Sequence, residues 1–118
     1  MQVFDNEHVI AFDVDQTLVM WTGHHNQPGE GLIPFNDPYD DKILYLKPHQ
    51  KHIDFLRRCK GRNMCVMVWS AGGAQWAKTV VNTLGLSDYV DLIITKPSKF
   101  VDDLQADDVL GQRVYLNE

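Results

Sequence analysis

Two carboxylates two residues apart, Asp13 and Asp15, follow directly on the run His8-Val9-Ile10-Ala11-Phe12. An apolar, β-branched run of this kind reads as a buried strand. Side chains at i and i+2 of an extended segment point the same way, so both carboxylates face one site. Two like charges held close require a cation or a shared proton. Matching chemistry stands at three later places: Ser70 with Ala71-Gly72-Gly73 behind it, Lys96, and the pair Asp102-Asp103. Four carboxylates in one pocket imply a divalent cation, and oxygen ligands completed by water favour Mg²⁺. Beside it, Lys96, the Ser70 hydroxyl and the amides of Ala71 and Gly72 make a place for a phosphate. One aspartate can then act as a nucleophile and a second as acid and base.

Each of these residues is expected at the exit of a strand. The first strand is expected over residues 8–13 and the second over Met64–Trp69, which leads into Ser70. A third lies within Tyr89–Ile94 ahead of Lys96, and a short fourth, Phe100-Val101, ends in Asp102-Asp103. Residues 48–60 read as a helix with Pro48 in its first turn, Ile53, Leu56 and Cys59 at helical spacing, and Gly61 as its stop. Residues 74–84 read as a second helix, with Trp76, Val80 and Leu84 on one face and Gly85 as its stop. Ile43–Leu46 and Arg113–Leu116 are expected to be extended. Residues 21–41, rich in Gly, Pro, Asn and Asp, read as a long irregular excursion or short hairpin over the site. Strands alternating with helices imply an α/β fold with a mainly parallel sheet, in which ligands bind beyond the carboxyl ends of the strands.

The order of these motifs resembles the haloacid dehalogenase superfamily of phosphohydrolases. The likeness runs from Ile10 to Asp103: Asp13-Val14-Asp15-Gln16-Thr17, then Ser70 after Val-Met-Val-Trp, then Lys96, then Asp102-Asp103 after Phe-Val. The approach Leu46-Lys47-Pro48 to a helix with Phe55-Leu56 is similar to the small, capless members. The resemblance implies a three-layer Rossmann-like sandwich with a minimal cap. It also implies Mg²⁺-dependent hydrolysis of phosphate monoesters through an aspartyl-phosphate. Asp13 would be the nucleophile, Asp15 the acid and base, and Lys96 the neutralising cation. Thr17, Ser70, Ala71 and Gly72 would surround the substrate phosphate. Mg²⁺ would be held by Asp13, Asp15 through its main-chain oxygen, and one or both of Asp102 and Asp103. Lys99 is the rival to Lys96, which is favoured because it leaves the third strand directly.

The length of 118 residues bounds the chain to one domain with a core of its own. The net charge of −5 argues against a general nucleic-acid or membrane-surface binder. No apolar run approaches the ~20 residues of a membrane span, and residues 1–10 show no secretory signal. Cys59 and Cys65 are expected to be reduced thiols, as in a cytoplasmic protein. The histidines at 24, 25, 49 and 52 lack zinc-ligand spacing and read as surface or capping residues, with His24 and His25 within reach of a substrate. Trp69 and Trp76 read as core, Trp21 and Phe35 as contacts for a substrate or partner. Asp107-Asp108 reads as an exposed turn, and the basic residues of the first helix as solvated surface.

Two other classes of function compete. A phospho-receiver domain would carry its acceptor aspartate on the third strand, ahead of Ser/Thr and Lys, which is not the order here. A non-catalytic scaffold on the same fold would have no need of the second aspartate. A pocket without a cap domain suits a bulky phosphorylated substrate that supplies its own lid, with a polynucleotide end as the specific expectation, or closure by a second subunit. The missing final helix leaves a sheet edge open to pairing in a homo-oligomer.

Overall fold

A computed structural model describes residues 5–118, the first three of them as backbone only. The order of elements is β1 (Asp5–Phe12), β2 (Val19–Met20), β3 (Ile33–Asn36), β4 (Ile43–Pro48), α1 (Gln50–Gly61), β5 (Met64–Ser70), α2 (Ala74–Thr83), a 3₁₀ turn at Ser87–Tyr89, β6 (Leu92–Thr95) and α3 (Ala106–Val109). β1, β5 and β6 form a parallel sheet in that order, with Phe12 beside Val68 and Ser70 beside Thr95. β2, β4 and β3 form a separate antiparallel sheet. The protein is thus a small α/β fold with a mainly parallel sheet and an antiparallel annex.

Both crossovers of the parallel sheet, β1 to β5 and β5 to β6, step the same way. Right-handed connections then put their helices on one face. Packing agrees: Ile10, Phe12, Val66 and Val68 share a core with Ile53 and Leu56 of α1 and Trp76, Val80 and Val81 of α2. Leu18, Val19, Phe35 and Leu46 of the annex close the same core. On the other face Val9, Ala11 and Leu92 are exposed, Met67 and Trp69 half-buried, and Cys65 buried. The described residues therefore build two layers.

Several expectations are corrected. Phe100-Val101 is not a strand; Phe100 and Val101 are exposed, and no ladder takes up their backbone. Asp102 and Asp103 consequently leave no strand end. Residues 113–116 join no sheet either; Leu116 is held instead by the side chains of His49, ahead of α1, and His52, within it. The 21–41 excursion contains β3, whose Ile33–Asn36 pairs with Leu46–Ile43 through a tight connection closed by Asp37 N–H on the Lys42 carbonyl. Pro48 ends β4 rather than starting α1, because His49 takes the cap. Gly61 is the last helical residue, and the left-handed conformation that ends a helix falls on Asn63 (φ 62°). Gly85 does stop α2, with φ 70°. Cys59 and Cys65 are both buried, free thiols. Among the described residues no helix is long and apolar enough to cross a membrane.

Candidate active site

Beyond β1 the burial alternates, with Phe12 and Val14 buried and Asp13 and Asp15 half-buried. The chain then turns sharply. The Val14 carbonyl accepts from the N–H groups of Thr17, Leu18 and Val19 at 3.1, 2.9 and 3.2 Å, and Gln16 takes a positive φ of 60° to allow it. A non-glycine residue in that region is uncommon and strained, and must be held by its surroundings. Here the Gln16 carbonyl accepts from the Tyr115 hydroxyl at 2.9 Å and its side-chain Oε1 from the Trp21 N–H at 2.6 Å.

Two buried histidines brace the same turn. His49 Nδ1 accepts from the His52 N–H as the cap of α1, so its proton sits on Nε2, which donates to the Leu116 carbonyl at 2.9 Å. His52 Nδ1 donates to the Thr17 carbonyl at 2.7 Å, and its Nε2 accepts from the Leu116 N–H at 2.8 Å. The rings stack at 3.8 Å, with Tyr115 edge-on to both. Capping was expected of this pair, but a surface location is corrected: His49 is 0% and His52 2% exposed. Burial pushes His52 below the ordinary histidine range, opposed by its bond to Thr17 and assisted by His49.

Asp15 is the most constrained acid of the site. Its Oδ1 accepts from the indole N–H of Trp21 at 2.9 Å and from that of Trp76 at 3.1 Å. Its Oδ2 borders the space above Gly72, where a Cβ would lie 3.8 Å from Oδ2, 3.3 Å from the Ser70 hydroxyl and 3.3 Å from the Trp76 ring. Gly72 thus keeps open a notch between Ser70 and Asp15. Ser70 is 0% exposed, with Oγ accepting from the Gly72 N–H at 3.0 Å. Asp13 has no hydrogen-bond or ion-pair partner among the described residues.

Lys96 is tied to the same place by its backbone, donating to the Ser70 carbonyl at 2.9 Å. Its ammonium, however, lies over the Trp69 ring, 5.6 Å from the centroid, on the face of β5 opposite Ser70. Lys99 is exposed. Asp102 and Asp103 are exposed as well, and Asp102 is engaged in a local turn with the Leu104 N–H at 2.9 Å, which with Asp103 holds its carboxyl below the usual range. The structure therefore brings Asp15, Ser70 and Gly72 together around one notch, keeps Asp13 and Thr17 next to Asp15 in the chain and Ala71 next to Gly72, ties Lys96 to Ser70 by its backbone, and holds Asp102 in an exposed local turn. Among the described residues no three His, Cys, Asp or Glu side chains are grouped to enclose a metal ion. The donor set fits Mg²⁺ only in its open form, in which one or two carboxylates, water and a substrate phosphate share the ion.

The excursion roofs the site. Trp21 meets Asp15, and Tyr39 rests on Gly73, whose φ of 108° and lack of a Cβ make that contact possible. Phe35 is corrected from a substrate contact to core, fully buried edge-on to Trp76. Trp76 is core as expected, yet its indole N–H also serves the site; an acid 61 residues earlier gives no hint of that in the sequence. His25 packs against Trp21 at 5.1 Å, and His24 is exposed on the excursion. No protein-family model matches the chain, and neither a curated protein nor a solved structure is similar enough to it to count as a match.

Proposed function

We propose that the protein is a Mg²⁺-dependent phosphomonoesterase working through an aspartyl-phosphate, on a haloacid dehalogenase-like frame whose full form has three layers. The observation that carries the reading is the meeting of a tethered Asp15 and a buried Ser70 hydroxyl around the Gly72 notch, with Asp13, which has no partner among the described residues, two positions before Asp15. A phosphoryl group entering the notch meets the Ser70 hydroxyl and the amides of Ala71 and Gly72. An Asp13 oxygen attacks phosphorus, and the bond to the leaving oxygen breaks as Asp15 supplies its proton. Asp15 then takes a proton from the water that attacks the aspartyl-phosphate, releasing phosphate and restoring both acids. Mg²⁺, when bound at Asp13, neutralises the charge of nucleophile and phosphate. Lys96 reaches that charge by swinging from Trp69 about its fixed backbone. Phosphate monoesters hydrolyse so slowly that enzymes accelerate them by up to ~10²¹-fold, mostly through positioning and charge neutralisation.

The substrate belongs to the phosphorylated class, a nucleotide or polynucleotide end first among them, and the compartment of action is the cytoplasm. The second reading is a non-catalytic scaffold on the same frame, favoured by Asp102 and Asp103 being exposed, with Asp102 held in a local turn and no strand end beneath the pair. Release of phosphate from an aryl phosphate with Mg²⁺ separates the two. Native protein should turn over and Asp13→Asn should fall to background. Equal, background rates for both would leave the scaffold.

A further inference from the structure

We infer that Trp21 and Trp76 are positioning residues that assign the two oxygens of Asp15 different tasks, an inference resting on the phosphatase reading above. Both indole N–H groups donate to the same oxygen, Oδ1, at 2.9 and 3.1 Å. A carboxylate oxygen has two lone-pair sites, and an indole N–H can only donate. Oδ1 is thereby filled by two donors that never accept a proton in return. A proton arriving on Oδ1 would displace one of them, so the proton that moves in the reaction is carried by Oδ2. That oxygen is the one bordering the Gly72 notch and the Ser70 hydroxyl, where the phosphoryl group is received.

The two donors come from opposite sides of the site. Trp76 is 5% exposed in the first turn of α2, locked edge-on against Phe35. Trp21 is half-buried at the mouth of the excursion, its backbone N–H held by Gln16 and its ring against His25. Asp15 is therefore aimed only when the excursion is folded down onto it. One carboxylate joins the roof of the site to its floor.

The test uses two substrates that differ in their need for a proton. An alkyl phosphate has a poor leaving oxygen and requires one; a nitrophenyl phosphate leaves as a stable anion and does not. Trp21→Phe and Trp76→Phe keep an aromatic ring and remove one N–H each. Since general acid catalysis contributes ~10²–10⁴-fold, each variant should lose about tenfold or more in the single-turnover rate of leaving-group release from the alkyl phosphate, and far less in that step from the nitrophenyl phosphate; later hydrolysis of the aspartyl-phosphate, common to both, is not in this readout. An equal loss in leaving-group release from both substrates would mean a merely structural role and would overturn the assignment. Trp21→Phe lies outside the core and keeps the test decisive if Trp76→Phe does not fold.

A second readout needs no turnover. In ¹H–¹⁵N spectra of Asp15→Ala, the indole N–H signals of Trp21 and Trp76 should move upfield while that of Trp69 stays. Unmoved Trp21 and Trp76 signals refute the clamp itself. A native protein inactive on both substrates, with the signals moving as expected, would remove the phosphatase reading and the proton assignment while keeping the clamp.

Discussion

Glycine 73 stands where the backbone has the least latitude in the site. Its φ of 108° lies in a region side chains rarely adopt, and a Cβ there would run into the Tyr39 hydroxyl. Gly73→Ala should cost about 1–3 kcal/mol in urea denaturation, and adding Tyr39→Ala should recover only the steric part, since φ is unchanged. Gly72 is different: a Cβ there meets Ser70 and Trp76 at 3.3 Å, a close fit that narrows the notch without backbone strain. At this scale the sequence was informative about acids and hydroxyls and silent about aromatics. Asp13, Asp15 and Ser70 announce themselves by type and spacing next to apolar runs. Trp76 announces only an apolar helix face, because a hydrogen bond from the edge of its ring depends on where a distant turn comes to rest.

Among the elements, α1, β5 and β6 are joined by one buried ion pair. Lys60 at the end of α1 meets Asp91 at 2.7 Å, and Asp91 also accepts from the Val66 N–H at 2.8 Å and donates its own N–H to the Val66 carbonyl. Removing the cation of a buried pair leaves its carboxylate without compensation, so Lys60→Met, which strips the buried Asp91 of that ion pair, should lower unfolding stability by about 3–5 kcal/mol, read from urea denaturation. The elements that periodicity predicts were legible: β1, β5, α1 and α2 lie within a few residues of expectation, since each has an apolar face of the right period. Phe100-Val101 shows the limit of that logic. Two apolar residues are too few to define a period, and their burial depends on a neighbouring strand that the described residues do not supply. β3 fails in the opposite direction, because Pro34 and the surrounding Gly and Asp masked an edge strand whose Phe35 faces the core.

For the molecule as a whole, acidity should act through His52. Its folded value is lowered by burial, so the fold favours the neutral ring. The stability this ring contributes is present in full above about 6.5, the ordinary histidine value, and is lost as the pH falls below it. Protonation puts a hydrogen on Nε2, where the Leu116 N–H already donates, and breaks the docking of residues 113–116. Around it stand His49 and Tyr115 in contact, Lys51, Asp54 and Arg58 on the outer side of α1, and the Lys47–Glu118 pair at 3.0 Å. The amide signal of Leu116 should therefore shift as the pH is lowered below about 6.5 in native protein and lose that shift in His52→Leu.

The bond from Tyr115 to the Gln16 carbonyl spans 99 positions of chain. Contacts so far apart in sequence close late in folding, because the intervening loop must lose its freedom before they reward it. During synthesis, β1, α1, β5 and α2 can assemble while the turn bearing both aspartates still lacks its brace. The turn that carries Asp13 and Asp15 is thus synthesised first and braced last, once residues 115 and 116 have joined the fold.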